Sequence, residues 1–336
     1  MPTPDQNHQI MIASLPDGPL EPSHFEARTG ERPNPGDGEV LVETEAITIG
    51  AGQRAGLQGS ASYTGAPQAG QVMGGQGVGR VVESNDARYA PGDRVRAMTG
   101  WQRFSTHWGQ DVNSVDTDLD AAHVLGPLGI NGLTAYFGLF EVGQVIAGDT
   151  VMVSAAAGSV GHMVGQMAKV AGATVVGVAG SDAKCELLIS ELGFDAAVNR
   201  NSDTFRADLK AATPNRVDVY FDNTGGPILE SALFRMNLNG RITCCGAASQ
   251  YDTGSPGGGP RGVPGLLVNN RVRMQGFVVF DFADRYDEAR AQMTGWITDG
   301  RLEPRATSYD GLDAAPQAFV DLLNGTTIGT TVVRLD

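Results

Sequence analysis

The stretch VMVSAAAGSVGHMVGQMAKVAGATVVGVAGS, residues 151–181, decides the fold of this chain. It opens on an apolar run typical of a buried strand and continues through Ala156-x-Gly158-x-x-Gly161. A helix is predicted from residue 160 to residue 171, and the apolar run ATVVGVAG that follows predicts a second strand. Strand, glycine turn, helix and strand in this order are typical of a unit that binds a dinucleotide, here with alanine replacing the first glycine.

Each glycine of this turn has a physical role in a dinucleotide site. Gly158 lets the backbone approach a pyrophosphate, and Gly161 lets the helix pack closely on the strand. The helix N-terminus supplies backbone N–H groups and a partial positive charge. A glycine-rich turn can also be purely structural, but the flanking strands and helix favour cofactor binding.

The end of the second strand indicates which dinucleotide binds. An NAD site usually carries Asp or Glu there, about 20 residues after the glycines, to bind the ribose 2′-hydroxyl. This strand ends in VAGS (178–181) without an acid, and Lys184 and Arg200 follow it. Ser181, Lys184 and Arg200 are suited to a 2′-phosphate. Asp182 weakens this reading, and Lys184 on a solvated helix face is the alternative, but the pattern as a whole predicts NADP(H).

Outside this stretch the same alternation of strands and helices continues. Helices are predicted at residues 160–171, 182–192, 204–212, 227–236 and 285–300, and strands at residues 151–157, 173–180, 196–199, 217–223 and 240–247. Strands that alternate with helices in this way form a parallel sheet with crossover helices. The predicted fold class is therefore α/β, with a doubly wound parallel-sheet Rossmann domain at residues 126–298.

The two ends of the chain have a different, β-rich pattern. EVLVETEAITI (39–49) alternates like a half-buried strand, and GVGRVVES (77–84) and DRVRAM (93–98) are short strands bounded by turns. After residue 299 the chain returns to this character and closes with the strand TTVVRL. We expect one β-rich domain built from residues 1–125 and 299–336.

Composition and charge limit the partners. A chain of 336 residues suits two domains. Its 24 Lys and Arg against 38 Asp and Glu give a net charge of −14, which disfavours nucleic acid and anionic membranes as partners. The amino terminus lacks the features of a signal peptide, and no apolar stretch is long enough to span a membrane. With only Cys185, Cys244 and Cys245, we expect a cytoplasmic protein without a disulfide framework.

Several segments resemble the zinc-free medium-chain dehydrogenases/reductases, the group of leukotriene and prostaglandin reductases, plant alkenal reductases and bacterial curcumin reductases. In chain order they are QVMGGQGVGRVVES (71–84), AAAGSVGHMVGQMAK (155–169), VVGVAGSDAK (175–184), FDNTGG (221–226), CCGAASQYD (244–252), RVRMQGFVV (271–279) and APQAFVDLLNG (315–325). The resemblance implies a GroES-like catalytic domain made from both termini, a Rossmann domain between them, and a homodimer.

The resemblance also implies a set of cofactor contacts. The pyrophosphate would lie on Gly158, Ser159, Val160 and Gly161, and the 2′-phosphate beside Gly180, Ser181, Lys184 and Arg200, the last standing where relatives often have tyrosine. The ribose and nicotinamide would contact Asn223, Cys245, Gly246, Ala247, Ser249, Phe277, Val278, Val279 and Thr327. In this set Cys245 is a small residue beside the cofactor and not a nucleophile.

The chemistry follows from what the sequence lacks. Zinc relatives place Cys or Asp and a His–Glu pair in regions that read IGAGQRAG (49–56) and QVMGGQGVG (71–79) here, so we expect no metal. Without a Lewis acid, alcohol oxidation is disfavoured, whereas a conjugated enone or enal accepts hydride at its β-carbon if donors stabilise the enolate oxygen. The Tyr251 hydroxyl is the predicted donor, assisted by the cofactor ribose, and Tyr63 is a second candidate. The alternative is that Tyr251 only packs on its loop.

Three interpretations of the function stay open. NADPH-dependent reduction of the C=C bond of a small-molecule enone or enal is favoured. An NADPH:quinone oxidoreductase would share every cofactor motif, and a non-catalytic NADP-binding redox sensor would need binding alone. The segment TGSPGGGPRGVPG (253–265) is interpreted as a long loop that either forms part of the substrate entrance or is a surface excursion.

Overall fold

The structure is a computed structural model that describes residues 6–59, 67–252 and 259–335. Within these residues the strands are β1 (Gln6–Ile12), β2 (Phe25–Glu31), β3 (Glu39–Ile49), β4 (Gly77–Ser84), β5 (Arg94–Ala97), β6 (Phe104–Trp108), β7 (Asn113–Ser114), β8 (Thr150–Ser154), β9 (Thr174–Ala179), β10 (Ala196–Asn199), β11 (Val217–Asp222), β12 (Met236–Cys244), β13 (Arg273–Gly276), β14 (Ala306–Asp310) and β15 (Thr330–Arg334).

The helices of the same residues are α1 (Ala51–Leu57), α2 (Ala121–Leu125), α3 (Ile130–Phe137), α4 (Gly161–Val170), α5 (Asp182–Ser190), α6 (Phe205–Ala212), α7 (Gly226–Leu233), α8 (Val263–Asn270), α9 (Tyr286–Thr298) and α10 (Ala315–Leu323). A π-helical turn continues α3 through residues 138–142. None of the helices in the described residues combines the length and apolar character that crossing a bilayer requires.

The chain divides into two compact units. The first comprises the chain up to Gly126 and again from Ala306 onward, and the second runs from Pro127 to Arg305. The sequence predicts that the chain returns to the first domain earlier, between residues 298 and 299. The intervening segment belongs to the second unit because the backbone of its last residues is hydrogen-bonded to side chains of α4.

A sheet made from both ends of the chain forms the frame of the first unit. Its strand order is β14-β15-β3-β4-β5-β7, with β6 also pairing with β3, and β1 and β2 form a separate antiparallel ladder. The core beneath contains Trp101, whose ring lies 5.3 Å from that of Phe25 and 5.9 Å from that of Phe319. The predicted β-rich domain is confirmed, and β3 and β4 have the bounds that the alternating pattern predicts.

A six-stranded parallel sheet forms the frame of the second unit. Its order is β10-β9-β8-β11-β12-β13, and every neighbouring pair is parallel. Counted from β8, this is the order 3-2-1-4-5-6 of doubly wound dinucleotide-binding sheets, so the predicted α/β fold class is confirmed. The winding reverses between β8 and β11, and the carboxyl ends of these two strands therefore border the crevice where ligands bind in such sheets.

Some predicted element bounds are wrong, and tertiary contacts explain why. The predicted helix 227–236 ends at Leu233, and β12 begins at Met236 instead of residue 240. Met236 pairs with Val217, and the Arg216 guanidinium donates to the Met236 carbonyl at 2.8 Å. Residues 228–239 contain neither glycine nor proline, so they carry no local signal for this change from helix to strand.

The segment 253–265, predicted as a long loop, is partly helical. Its residues 253–258 lie outside the described residues. Val263 begins α8, with Gly262 at φ 68° before it and Pro264 in its first turn. Leu266 and Leu267 of α8 pack against the core of the second unit, which holds this helix in place.

Candidate cofactor and active site

The turn between β8 and α4 requires glycine at position 161 and leaves little room for a side chain at position 158. A Cβ atom at Gly161 would lie 2.3 Å from the Ala155 carbonyl oxygen, far inside any normal contact. A Cβ atom at Gly158 would lie 3.2 Å from the same oxygen, and Ala155 itself adopts φ 48°. The turn presents three partly exposed residues at the helix N-terminus, where backbone N–H groups and the helix dipole attract an anion. They are Gly158, Ser159 and Val160.

A histidine that the sequence reasoning missed lies beneath this turn. His162, the second residue of α4, has no exposed surface, and its Nδ1 lies 2.8 Å from the Gly158 carbonyl oxygen. Burial lowers the pKa of His162 to about 4, so the ring is neutral at physiological pH. A histidine in the first turn of a predicted helix carries no sequence signal for this position, because burial depends on what packs over the helix.

Two cations lie at the carboxyl end of β9. The Arg200 guanidinium lies over Gly180, since a Cβ atom at that glycine would be 3.5 Å from Arg200 Nε. Burial and then the positive charge of Arg200 lower the pKa of Lys184. Ser181 caps α5 by accepting the Lys184 backbone N–H at 3.3 Å. The like charges of Lys184 and Arg200 repel each other, and a bound dianion would relieve that repulsion.

Asp182, the acid that weakened the prediction of NADP(H), is hydrogen-bonded to a neighbouring side chain. The Asp182 carboxylate accepts a hydrogen bond of 2.8 Å from the Asn199 side-chain amide. Among the described residues, no carboxylate forms an ion pair with Arg200, and β9 ends in Ala179 without an acid. The residues at this end of the sheet therefore fit a 2′-phosphate better than a ribose 2′-hydroxyl.

A buried carboxylate organises the carboxyl end of β11. Asp222 is 2% exposed, and its Oδ1 accepts the Tyr220 hydroxyl at 2.7 Å. The same oxygen accepts the backbone N–H groups of Gly225 at 2.8 Å and Thr224 at 3.0 Å. The sequence reasoning missed Asp222, although an acid ending the apolar run VDVYFD is a signal that could have identified it.

Asn223 joins the two strands at the switch in winding. Its side-chain amide donates to the Ser154 carbonyl at 2.7 Å, and its backbone N–H donates to Ser154 Oγ at 2.9 Å. Ser154 ends β8 and Asn223 directly follows β11. Asn223 therefore lies at the edge of the crevice, where its predicted contact with the ribose or nicotinamide would have to occur.

The loop after β12 is tied to the loop after β11. The backbone N–H groups of Cys245 and Gly246 donate to the Asp222 carbonyl at 2.9 and 3.1 Å. The Ser249 hydroxyl donates to the Thr224 carbonyl at 2.6 Å. Burial, followed by the charge of Asp222, raises the pKa of Cys245 to about 12, so this thiol is protonated at neutral pH and a poor nucleophile.

Tyr251 closes the same loop. Its hydroxyl oxygen accepts the backbone N–H of Ala247 at 3.0 Å, and a Cβ atom at Gly246 would lie 3.1 Å from it. An N–H bound to the oxygen polarises the hydroxyl and strengthens its O–H as a donor. The ring is thus held against the loop by its polar end, which is the packing role considered from the sequence, and the donor role of the hydroxyl stays a prediction.

The segment after β13 lies beside this loop, since Gly276 pairs with Cys244. The Phe277 ring packs on Gly138 and lies 6.5 Å from the Phe282 ring. Its side chain therefore stabilises the π-helical turn, and Val279 is buried as well. Contact with a carboxamide would come from the backbone of Phe277, Val278 and Val279.

The carboxyl edge of this parallel sheet thus gathers nearly all predicted site residues. Two candidates do not belong to the described residues of the second unit. Thr327 belongs to the first unit, where it is buried just before β15. Tyr63 lies outside the described residues.

Comparisons with known proteins agree with this architecture. Over 335 residues the chain is 36% identical to the NADPH-dependent curcumin reductase of Escherichia coli (strain K12), covering 98% of this chain and 97% of that protein. The chain belongs to the medium-chain dehydrogenase/reductase family. Within that family it is also 40% identical to the 2-alkenal reductase (NADP(+)-dependent) of Nicotiana tabacum over 284 residues, covering 83% of this chain and 81% of that protein. The resemblance predicted from the sequence is confirmed.

Solved structures and family models of medium-chain reductases match both units. The crystal structure of CurA in complex with NADPH from Vibrio vulnificus has a TM-score of 0.92 and 35% sequence identity, covering 98% of this chain and 99% of that one. Residues 8–115 match the family described as N-terminal domain of oxidoreductase, and residues 159–295 match that described as zinc-binding dehydrogenase. In the part of the chain that the structure describes, no three His, Cys, Asp or Glu residues form a group that could hold a metal ion.

Proposed function

We propose that this medium-chain reductase uses NADPH to reduce the C=C bond of α,β-unsaturated ketones and aldehydes. The observation that carries the cofactor choice is the pair Lys184 and Arg200 at the end of β9, where Asn199 holds the nearby Asp182. The similarity to an NADPH-dependent curcumin reductase and an NADP(+)-dependent 2-alkenal reductase supports the same cofactor and reaction class.

The cofactor contacts follow the geometry of the second unit. We assign the pyrophosphate to the turn at residues 158–161, the 2′-phosphate to Gly180, Ser181, Lys184 and Arg200, and the nicotinamide side to Asn223, the loop at residues 245–249 and the segment 277–279. Thr327 is kept as a contact from the first unit. The second unit is proposed as the cofactor domain and the first unit as the catalytic domain.

Tyr251 is proposed as the catalytic donor. When bound, NADPH would supply a hydride to the β-carbon of the substrate, and a proton would then reach the α-carbon to complete the reduction. Before that proton arrives, negative charge develops on the substrate carbonyl oxygen, where a positioned O–H stabilises it more than it stabilises the uncharged ketone. The Ala247 N–H orients and polarises the Tyr251 hydroxyl for this task, and Tyr63 is kept as a second candidate.

A homodimer is proposed from the edge of the parallel sheet. β13 pairs only with β12 among the described strands, so its other side leaves backbone hydrogen-bonding groups without a strand partner there. Val268 and Phe280, on either side of β13 in sequence, are 72% and 55% exposed. Light scattering should give twice the chain mass of 35.1 kDa, and Val268→Lys should shift the mass towards that of the monomer.

The three free thiols fit a cytoplasmic location.

A substrate panel tests the proposed reaction. Consumption of NADPH and of NADH is followed with enones, enals and quinones, with and without a zinc chelator. We expect turnover of enones and enals with NADPH, unaffected by the chelator. Turnover of quinones alone would favour the quinone oxidoreductase, and tight NADPH binding without any turnover would favour the redox sensor.

The cofactor assignment has its own test with a matched control. Lys184→Ala should raise the KM for NADPH roughly tenfold or more, because a charge-assisted hydrogen bond to phosphate is lost, and leave the KM for NADH within about twofold. Lys210→Ala removes an exposed lysine of α6 and should change neither. Equal effects of Lys184→Ala on both cofactors would remove Lys184 from the phosphate site.

A further inference from the structure

We propose that His162 is a positioning residue for the pyrophosphate turn, directing the backbone N–H group of Ser159 towards the cofactor. The inference rests on the proposed binding of NADPH at this turn. His162 itself is fully buried within the second unit and lies on the inner side of the turn, so its effect on the cofactor is indirect.

The hydrogen bonds of the ring fix its tautomer. The backbone N–H of Arg305 lies 3.0 Å from His162 Nε2, and an N–H group can only donate. Nε2 is therefore the acceptor, and the ring proton resides on Nδ1. That proton is donated to the Gly158 carbonyl oxygen at 2.8 Å, which also accepts the backbone N–H of His162 at 3.1 Å.

Two donors on one carbonyl fix a peptide plane. In a trans peptide the C=O of one residue and the N–H of the next point in opposite directions. The Gly158 carbonyl points inward to His162, so the Ser159 N–H points outward, away from the ring. An outward N–H at a helix N-terminus is a donor that a pyrophosphate requires.

The side chain of Gln166, also in α4, binds the segment 303–305 without touching the turn. Gln166 accepts the Glu303 backbone N–H at 2.7 Å, and its amide group donates to the Glu303 carbonyl at 3.2 Å. Gln166 lies one helical turn beyond His162 and shares its buried face. It therefore provides a matched control, because its loss affects the segment 303–305 and leaves the Gly158 carbonyl with both donors.

Two substitutions of His162 separate its two hydrogen bonds. His162→Asn places an amide where Nδ1 lies and retains the donor to Gly158, whereas His162→Gln reaches the position of Nε2 and retains only the acceptor for Arg305. His162→Ala removes both. We expect the Kd for NADPH, measured by calorimetry, to rise about tenfold in the Ala and Gln variants and to stay within about threefold in the Asn variant.

The two cofactors and the control variant complete the test. Because NADPH and NADH share the pyrophosphate, His162→Ala should raise both Kd values by the same factor and raise KM while leaving kcat within about twofold. Gln166→Ala should lower the melting temperature with little change in Kd. Failure of the wild-type protein to bind NADPH would overturn the proposed function. Wild-type binding with an unchanged His162→Ala variant, or with equal Asn and Gln variants, would overturn this inference alone.

Discussion

The burial of a neutral histidine makes stability depend on pH. His162 has a pKa of about 4 in the folded protein against 6.5 for an unperturbed imidazole, chiefly because burial disfavours the charged ring. Between these values the unfolded chain binds a proton that the folded chain does not. The stabilising contribution is therefore complete above pH 7, and it is lost as the pH falls towards 4.

The size of the effect follows from the two pKa values. Each pKa unit corresponds to about 1.4 kcal/mol, so the loss below pH 4 is about 3 kcal/mol, of which about 2 kcal/mol has occurred by pH 5. His162→Asn replaces the imidazole with a group that does not titrate. Between pH 7.5 and pH 5 the free energy of unfolding should therefore decrease by about 2 kcal/mol less in the variant than in the wild type.

Urea unfolding followed by circular dichroism measures this difference. Wild type and His162→Asn are unfolded at pH 7.5 and pH 5, and the change with pH is compared between the two proteins. All other titrating groups are common to both, so their contributions cancel in the comparison. Equal pH dependence in wild type and variant would refute the burial of a neutral ring at position 162.

Three further predictions concern other residues. Gly161→Ala should destabilise the protein by about 2 kcal/mol or more and weaken NADPH binding, because its Cβ would overlap the Ala155 carbonyl. Gly295→Ala, in open space within α9, should instead raise the melting temperature slightly. Equal melting temperatures of the two variants would contradict the steric argument. Asp222→Asn should lower the free energy of unfolding by about 2–4 kcal/mol in urea titrations, since an amide cannot accept all the donors that converge on Oδ1. A loss below about 0.5 kcal/mol would show that these hydrogen bonds to Asp222 are dispensable. Tyr251→Phe should lower kcat about tenfold or more with unchanged Kd for NADPH. The control Tyr309→Phe loses a hydrogen bond to Asp321 in the first unit and should leave kcat unchanged. Normal turnover of Tyr251→Phe would contradict a catalytic role for Tyr251.

The order and type of most elements in the second unit could be predicted from local patterns. The alternation of apolar strands with helices predicted the parallel sheet, and the glycine spacing located the turn after β8. Errors occurred where a long-range contact overrides local preference. Met236 joins a strand because Val217 and Arg216 hold its backbone, and neither contact can be read from the residues next to it.

The site shows the same division. Gly158, Gly161, Lys184 and Arg200 could be assigned from spacing, because a dinucleotide demands glycine and positive charge at fixed points along one continuous segment. Ser154 and His162 were missed, since each bonds to a partner distant in the chain. Asp222 was missed although the donors to its Oδ1 lie close to it in sequence.

The sequence by itself determined that a glycine turn between a strand and a helix would form, because close backbone approach and helix packing favour glycine at two spaced positions. Only the tertiary structure decided how that turn is held: the Gly158 carbonyl is fixed by a histidine whose tautomer depends on Arg305, a residue more than a hundred positions further along the chain. Proton placement on an imidazole depends on which groups surround it in space, and that arrangement exists only once the segments have packed together.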